Sequence, residues 1–199
     1  MHAYATDSAE RKYIPLLLAG LAIGAALGFP WFLSIAHVAV PWWLDAPSTM
    51  GFYGFFYWLF DTQLWRIRAL HRLGVVKVPV LQGDWRGYVT SSFDEHAERH
   101  VVEVQIVQSW ARLKVTLRSE SSKSHSYLAT LLTDAPDGAV LSYQYQNEPM
   151  PQAKETMQIH HGTARLVLSD DGTLTGNYYT GRGRQSVGSI YLERFRAKQ

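Results

Sequence analysis

The densest group of polar side chains in the sequence lies between Asn177 and Ser186, and its chemistry suits an anion or a nucleotide. Arg182 and Arg184 flank Gly183 at the tip of a predicted hairpin. Guanidinium groups match phosphate oxygens with paired hydrogen bonds, and glycine lets an anion come close to the backbone. Aromatic rings beside them can stack on bases. A solvated hairpin turn, whose arginines only keep the protein soluble, is the alternative interpretation.

Two predicted strands carry tyrosines on a face that becomes polar at one end. Tyr143, Tyr145 and Asn147 share a face of the first strand, and Tyr178 and Thr180 share a face of the second. An interior that is apolar at one end and rich in such side chains at the other is typical of a plugged barrel with a binding mouth. Tyrosines also pack their rings in ordinary cores while the hydroxyl stays in water, so a structural role fits as well.

A second hydroxyl-rich segment, residues 119–124, favours the binding interpretation of the arginine turn. The sequence has no P-loop, no GxSxG elbow and no HExxH motif, and none of its carboxylates is paired on one predicted strand face. His125, His160 and His161 lack the spacing of metal ligands, and the chain has no cysteine. We therefore expect neither a catalytic site nor a bound metal.

From residue 80 onward, apolar and polar residues alternate with the period of a β-strand, and turn-forming residues separate the segments. About eight antiparallel strands suggest a small closed barrel of the lipocalin or avidin type, because closure removes exposed edges. We expect residues 80–199 to fold alone. The predicted strands are Gly83–Ser91, Val101–Ser109, Ala111–Arg118, Tyr127–Thr133, Ala139–Gln146, Thr156–Ser169, Thr173–Thr180 and Gly188–Phe195.

This module is electrically neutral. From Gln82 to Gln199, 13 Lys and Arg residues balance 13 Asp and Glu residues. A protein that coats DNA or RNA needs a broad basic surface to replace the counterions of the phosphates. The balance therefore argues against DNA or RNA as a partner.

The N-terminal part of the chain is far more apolar than the rest. No Asp, Glu, Lys or Arg occurs between Tyr13 and Leu44, and a second uncharged run extends from Ala46 to Phe60. A helix needs roughly 20 apolar residues to cross the hydrocarbon core of a bilayer. We predict a hairpin of two transmembrane helices at about residues 14–35 and 48–65. A cleaved signal peptide would explain the first run but not the aromatic second one.

Basic residues flank both outer ends of this hairpin, and the connection between its helices has none. By the positive-inside rule, both termini are expected in the cytoplasm. The predicted segments are a cytoplasmic N-terminus (1–12), the transmembrane hairpin (13–67), a basic linker (68–79) and a cytoplasmic ligand-sensing barrel (80–199).

Gly20, Gly24 and Gly28 lie four residues apart in the first predicted span, so they share one helical face. Small residues at this spacing let two helix backbones approach closely in lipid. The face can serve to pack the two helices of one hairpin, or to associate hairpins of different protomers. The sequence leaves both uses open.

Two N-terminal membrane spans followed directly by a small β-barrel resemble the two-transmembrane, β-barrel effectors of CBASS, the cyclic-oligonucleotide-based anti-phage signalling systems of bacteria. The resemblance covers the whole chain and rests on this architecture together with several short elements in order. These are Gly83-Asp84-Trp85-Arg86-Gly87, Gln108-Ser109-Trp110, Tyr143-Gln144-Tyr145-Gln146-Asn147, His161-Gly162-Thr163 and Gly176-Asn177-Tyr178-Tyr179-Thr180-Gly181-Arg182.

The resemblance implies a non-enzymatic effector in the bacterial inner membrane. Its barrel is expected to bind a cyclic dinucleotide, made by a partner cyclic-nucleotide synthase upon infection, as its activating ligand and to need no other cofactor. Binding is expected to drive homo-oligomerisation of the spans, disruption of the membrane and death of the infected cell. The candidate ligand-binding residues are Trp110, Tyr143, Tyr145, Asn147, Tyr178, Thr180, Arg182 and Arg184.

Two other functions remain open at this point. A membrane-anchored barrel could hold a small ligand or a peptide as a binding or scaffold module, without damaging the membrane. A membrane-anchored enzyme is less favoured, because no catalytic set is present in the sequence.

Overall fold

A computed structural model describes residues 1–35, 45–153, 157–181 and 185–195 of the chain. These residues form two compact units. The first unit combines the N-terminal residues Met1–Ser8 with Val78–Gln199, and the second consists of Ala9–Lys77. The chain therefore passes from one unit to the other at Ser8–Ala9 and again at Lys77–Val78.

The second unit is helical. Its helices are α1 (Glu10–Ile35), α2 (Asp45–Thr62) and the short α3 (Arg68–Arg72), which follows a single 3-10 turn at Leu64–Arg66. One side of α1 is buried through Ile14, Leu18 and Ala22, and the ring of Phe29 packs edge-on against Phe52 of α2 with the ring centroids 5.6 Å apart. The two ends of the hairpin are also tied together, because the Tyr13 hydroxyl donates a hydrogen bond to the carbonyl oxygen of Val75.

Among the described helices, only the segment Glu10–Phe29 of α1 is long and apolar enough to cross a membrane. The helix α2 begins and ends near Asp45 and Asp61, and it contains several tyrosine, serine and threonine residues. These polar groups lower its hydropathy, and α2 is therefore not among the helices apolar enough to cross a membrane. The second span that the sequence predicts at 48–65 stays a prediction. The connection 36–44 lies outside the described residues.

The first unit is a closed ring of nine strands in the described residues. Around the ring the order is β1-β4-β3-β2-β9-β8-β7-β6-β5, and neighbouring strands are antiparallel except β1 and β5, which pair in parallel. The strands are β1 (His2–Thr6), β2 (Gly83–Val89), β3 (His100–Gln108), β4 (Arg112–Arg118), β5 (Ser122–Leu132), β6 (Ala139–Pro149), β7 (His160–Leu168), β8 (Leu174–Thr180) and β9 (Val187–Arg194).

The ring differs from the expected eight-stranded barrel by one strand. A strand is present at each of the eight places predicted after residue 80, but the N-terminal residues His2–Thr6 contribute a ninth. The expected N-terminal extension 1–12 is thus divided between a strand of the ring and the beginning of α1. Local sequence patterns do not predict β1, because its partners on β4 and β5 lie more than 100 residues away along the chain.

The interior of the ring has two different ends. At the end that we call the closed end, the side chains of Leu131, Leu141, Leu166, Leu174 and Leu192 are almost completely buried. At the opposite, open end, the same strands turn Tyr145, Asn147 and Thr180 inward. The inner face that residue parity predicts for β6 is confirmed, because every second residue of β6 from Leu141 to Asn147 is buried.

The glycine face of α1 points away from its contact with α2. Gly20, Gly24 and Gly28 are exposed, and a Cβ atom added at any of them would meet nothing within 4 Å among the described residues. The described part of the hairpin packs through the Ile14–Ala22 side instead. Of the two uses left open by the sequence, packing within the hairpin receives no support.

Candidate ligand-binding site

A cavity of about 400 Å³ opens at the open end of the ring. Its walls come from the ends of β2, β4, β6 and β8 and the beginnings of β3, β5, β7 and β9, together with the loops that join them. Tyr143, Tyr145, Asn147, Tyr178 and Thr180, five of the candidate residues, all line it. Successive side chains of β6 and β8 point alternately inward and outward, and this alternation brings the five predicted inner-face residues together in one cavity.

The pairing register explains how the tyrosine rings fit. Tyr145 lies opposite Gly162 of β7, and Tyr178 lies opposite Gly188 of β9. A Cβ atom at Gly188 would come within 2.5 Å of the Tyr178 ring, and one at Gly162 would collide with the end of the Tyr145 ring. Glycine on each neighbouring strand thus leaves space for the ring, which extends across that strand inside the cavity.

Several polar groups in the cavity, among them the Tyr143 hydroxyl and the Asn147 amide oxygen, have no hydrogen-bond partner among the described residues. The hydroxyl of Tyr143 makes no hydrogen bond there, although this residue is only 4% exposed. The amide nitrogen of Asn147 donates to the Sδ atom of Met157 at 3.3 Å, and its amide oxygen accepts nothing from a described residue. Burial raises the pKa of Tyr143, so its hydroxyl keeps its proton as a donor at neutral pH. A bound molecule can satisfy both groups.

Hydroxyl groups cover the wall beside β5. Ser119, Ser121, Ser122 and Ser124 line the cavity, and Ser119 Oγ lies 3.2 Å from Ser122 Oγ. Across the mouth, Thr180 Oγ1 lies 3.0 Å from Ser186 Oγ and accepts a hydrogen bond from the Ser186 backbone nitrogen at 2.7 Å. These bonds fix the two ends of the hairpin that contains Arg182 and Arg184.

The rim of the cavity is acidic on one side. Nε2 of His100 lies 2.7 Å from Oδ2 of Asp94, and one ligand atom each from Asp94, Glu98 and His100 lies within 4.8 Å of the others. Burial raises the pKa of Asp94, but the hydrogen bond with His100 and backbone donors outweigh it and hold that pKa below its ordinary value. The candidate residues predicted from the sequence do not include this cluster.

The described lining contains neither lysine nor arginine. Its uncharged tyrosine, serine, threonine and asparagine groups suit bases and sugar hydroxyls better than they suit a phosphate. Arg182 and Arg184 lie outside the described residues, between the cavity-lining residues Thr180 and Ser186.

Trp110 does not line the cavity. It is 1% exposed, and its carbonyl oxygen accepts a hydrogen bond from the Tyr4 hydroxyl at 2.6 Å. Trp110 follows the closed-end terminus of β3, whereas the opposite terminus, His100, contributes to the cavity. Trp110 therefore lies at the end of β3 that is farther from the cavity, and we do not include it among the ligand contacts.

Sequence reasoning missed several residues of the wall. Val89, Phe93, Val102, Leu117 and Ile190 add apolar surface, and His160 and Met157 add to the rim. The inward serines of β5 were visible only as a hydroxyl-rich loop, because the strand was predicted to begin at Tyr127 and not at Ser122. The spacing of Ser122, Ser124 and Ser126 is the signal that could have revealed them, because their period of two is that of a strand face.

Comparison with known proteins identifies the family to which the chain belongs. A family model described as "Cap15, cyclic dinucleotide receptor domain" matches residues 76–194, which contain β2 to β9 and the cavity. The chain belongs to the Cap15 family. A second model of that family, described as "Cap15, TM helices", matches residues 12–66.

A curated relative agrees with this assignment. CD-NTase-associated protein 15 of Yersinia aleksiciae is 31% identical over 150 residues, which cover 74% of this chain and 69% of the relative. The resemblance to CBASS effectors is thereby confirmed. The matched domain is described as a receptor and not as an enzyme, and the TM-helix match associates the N-terminal part with a membrane. The strand β1 precedes both matched segments.

Proposed function

We propose that this protein is a cyclic-dinucleotide-gated membrane effector of bacterial anti-phage defence. The ligand binds in the cavity at the open end of the ring and drives oligomerisation of the transmembrane hairpins. The oligomer disrupts the inner membrane, and the infected cell dies. The observation that carries this proposal is the pair of unpartnered groups, the Tyr143 hydroxyl and the Asn147 amide oxygen, inside a cavity of the receptor-matched segment.

Different parts of the ligand bind in the cavity and at its mouth. The cavity lining is aromatic and hydroxylic, so it receives the bases and riboses. The phosphates face the hairpin that carries Arg182 and Arg184, because the residues at its two ends, Thr180 and Ser186, belong to the cavity wall. Guanidinium groups there supply the positive charge that the described lining lacks.

Both chain ends lie on the same side of the membrane in this proposal. The ring contains residues from before and after the helical unit, so the segment between them crosses the bilayer an even number of times. Two crossings satisfy this condition, and α2 is then the second span. Arg11, Lys12 and the basic residues after α2 support a cytoplasmic location for that side, by the positive-inside rule.

This orientation gives a cytosolic messenger direct access to the cavity. Thr6 and Gly83, the ring residues nearest to the two connections, lie at the closed end, and the cavity opens at the other end. A partner cyclic-nucleotide synthase supplies the ligand. The protein itself performs no catalysis, needs no cofactor beyond its ligand and does not bind DNA or RNA.

The glycine face of α1 is the surface on which hairpins associate. Lipid provides no hydrophobic drive between helices, so their association depends on close backbone packing. Gly20, Gly24 and Gly28 are exposed, and no described residue of the same hairpin covers them. This exposure supports contact with a second protomer.

Ligand binding is tested with the full-length protein in detergent. Its thermal unfolding midpoint is measured against a panel of cyclic dinucleotides of the four RNA bases, with the linear dinucleotides as controls. One or more cyclic compounds should raise the midpoint, because a ligand that binds only the folded state stabilises it. If no cyclic dinucleotide raises it at millimolar concentration, the receptor proposal is wrong.

The arginine hairpin is tested by Arg182→Ala and Arg184→Ala, with Arg165→Ala on the exposed outer side of β7 as the matched control. A charge-assisted hydrogen bond contributes about 1.5–3 kcal/mol, so each loss should weaken binding by roughly ten- to a hundred-fold. Normal affinity in both hairpin variants would place the phosphates elsewhere.

The oligomerisation face is tested by Gly20→Leu and Gly24→Leu in cells that produce the ligand, with Ile23→Leu on α1 as the control. The glycine variants should still bind ligand but should lose oligomers and membrane leakage, because leucine holds the backbones apart. Persistent leakage would show that another surface builds the oligomer. A wild-type protein that binds ligand and never causes leakage would instead be a membrane-anchored binding module.

A further inference from the structure

The N-terminal strand β1 fills a gap in the wall of the ring and leads directly into the first membrane helix. Strands β4 and β5 pair with each other only at the open end, from Thr116–Arg118 on one side to Lys123–His125 on the other. Beyond this point they separate, and β1 lies between them. His2 and Ala3 pair with β4, and Tyr4 to Thr6 pair with β5. We call this three-stranded region the β1 seam.

The point at which β4 and β5 separate is held by a serine. The Ser126 hydroxyl accepts a hydrogen bond from the backbone nitrogen of Val115 at 2.9 Å, where a direct strand pair would otherwise continue. The same hydroxyl lies 2.8 Å from Nε2 of His2. Strand β5 also has an irregular register between Ser126 and Leu128. One buried hydroxyl therefore joins all the strands of the β1 seam.

The candidate ligand site ends where the β1 seam begins. Ser124, which lines the cavity, is only 5% exposed and lies on the same strand face as Ser126. Ser119, Ser121 and Ser122 of the preceding turn also line the cavity. A ligand that engages these hydroxyls contacts β5 and the turn that joins it to β4, and Leu117 of β4 also lines the cavity.

The other end of β1 is fastened just before the helix begins. Asp7 accepts hydrogen bonds from the backbone nitrogen of Thr133 at 2.8 Å, from its hydroxyl at 3.0 Å and from the backbone nitrogen of Asp134 at 3.2 Å. Only Ser8 and Ala9 then separate Asp7 from Glu10, the first residue of α1. A connection this short cannot absorb a displacement of the strand, because an extended residue spans at most about 3.3–3.6 Å.

We propose that β1 is the element that transmits ligand binding from the cavity to the first membrane helix. This inference rests on the proposed function and adds the route by which ligand binding in the cavity reaches α1. Ligand in the cavity changes the spacing of β4 and β5, β1 follows because it is bonded to both, and α1 is displaced through Ser8 and Ala9. The second connection, at Lys77–Val78, carries the chain but not the signal.

Matched insertions test this division between the two connections. The flexible sequence Gly-Ser-Gly is inserted between Ser8 and Ala9, or between Lys77 and Val78, in the full-length protein. The proteins are placed in vesicles of phosphatidylethanolamine and phosphatidylglycerol filled with a self-quenching dye. The probe is the cyclic dinucleotide that stabilises the wild-type protein most.

The insertion after Ser8 should leave ligand affinity within about two-fold of the wild type but reduce ligand-induced dye release at least about ten-fold, because the two states of the ring no longer bias the helix. The insertion after Lys77 should retain most of the dye release. Equal release from both insertions, or loss only with the second, would overturn the proposal.

A point variant tests the same step without lengthening the chain. Asp7→Ala removes the hydrogen bonds that fasten the end of β1, and it should lower dye release while ligand affinity is kept. Asp171→Ala is the control, because Asp171 likewise accepts from the backbone nitrogen and hydroxyl of Thr173, but in the turn before β8. Equal effects of the two variants on dye release would show that Asp7 has only a local structural role, and this would overturn the proposal.

The outcomes separate this inference from the proposed function. If the wild-type protein neither binds the panel nor releases dye, the proposed function fails. If the wild-type protein does both and the Ser8 insertion behaves like it, only the transmission through β1 fails. Ligand-induced stabilisation, measured on each variant, shows that the ring is folded before release is compared.

Discussion

The two ends of the ring interior are made by the same strands but have opposite chemistry. On β6, Leu141 lies at the closed end with no exposed surface, and Asn147 lies at the open end with an amide oxygen that has no described partner. Strands β7 and β8 follow the same gradient, from Leu166 to His160 on β7 and from Leu174 to Thr180 on β8.

Because of this gradient, residues at one end of a strand stabilise the fold and residues at its other end are available to bind the ligand. Buried leucines contribute to folding by removing apolar surface from water, and they have no polar atom to offer a ligand. The hydroxyl and amide groups of the open end face the cavity, so they can form hydrogen bonds with a ligand. The comparison predicts that a substitution at one end leaves the property of the other end largely unchanged.

The largest effect is expected for Leu141→Ala at the closed end. Truncation of a fully buried leucine leaves a cavity and costs about 2–5 kcal/mol of unfolding free energy. The thermal midpoint should therefore fall by several degrees, while Val107→Ala on the outer face of β3 should change it little. The folded protein should keep its ligand affinity when measured well below the midpoint. Loss of affinity without loss of stability would break the division between the ends.

The next largest effect is expected for Asn147→Ala at the open end. Removal of a buried hydrogen-bonding amide should lower ligand affinity about ten-fold, which corresponds to about 1.4 kcal/mol. The control is Asn177→Ala, because Asn177 lies on the exposed face of β8. Isothermal titration calorimetry of both proteins measures the difference. If the two asparagine variants bind equally well, Asn147 does not contact the ligand.

A smaller effect is expected for Tyr143→Phe, which removes only a hydroxyl. Its hydrogen bond to the ligand should contribute about 0.5–1.5 kcal/mol, so affinity should fall by roughly two- to ten-fold. Stability without ligand should not fall, because the hydroxyl has no described protein partner. Tyr191→Phe provides the control, since its hydroxyl donates to Glu193 on the outer surface. A clear loss of stability in Tyr143→Phe would indicate a structural bond instead.

The smallest effect concerns alkaline pH and the same tyrosine. Burial raises the pKa of Tyr143 above its ordinary value of about 10. Above that pH the unfolded chain loses the phenolic proton while the folded chain keeps it. The free energy of unfolding is therefore unaffected by this group below about pH 10 and decreases as the pH rises from there toward the folded pKa. The wild-type protein should therefore lose more stability than Tyr143→Phe between about pH 10 and 11. Parallel pH profiles of the unfolding free energy would show that Tyr143 ionises freely in the folded state.

The strands that the sequence predicts well are those with both an apolar inner face and nearby turn residues. Strand β6 has both, since Leu141, Tyr143 and Tyr145 alternate with exposed or partly exposed polar residues. The first half of β5 has inward serines instead of apolar residues, so its period of two is hidden in a polar stretch. The lack of hydrophobic signal there has a physical cause, because this part of the wall borders the cavity.

The candidate site was predictable as far as strand parity extends. Parity places Tyr143, Tyr145, Asn147, Tyr178 and Thr180 on inner faces, and these residues do line one cavity. It cannot place Trp110, which follows the end of β3, or the rim residues Asp94 and Glu98 between β2 and β3. Loop residues and the ring-closing strand β1 depend on contacts between distant parts of the chain, and a local pattern does not contain that information.

The position of β1 also sets the order in which this protein can be completed during its synthesis. His2 is synthesised before its hydrogen-bonding partner Ser126, which follows 124 residues later. At about 5–20 residues per second, the N-terminal strand waits roughly 6–25 s for that partner. The helical segment 9–77 is synthesised during this interval. Closure of the ring is therefore a late event, and a nascent chain whose first residues were exported would be left with a gap between β4 and β5.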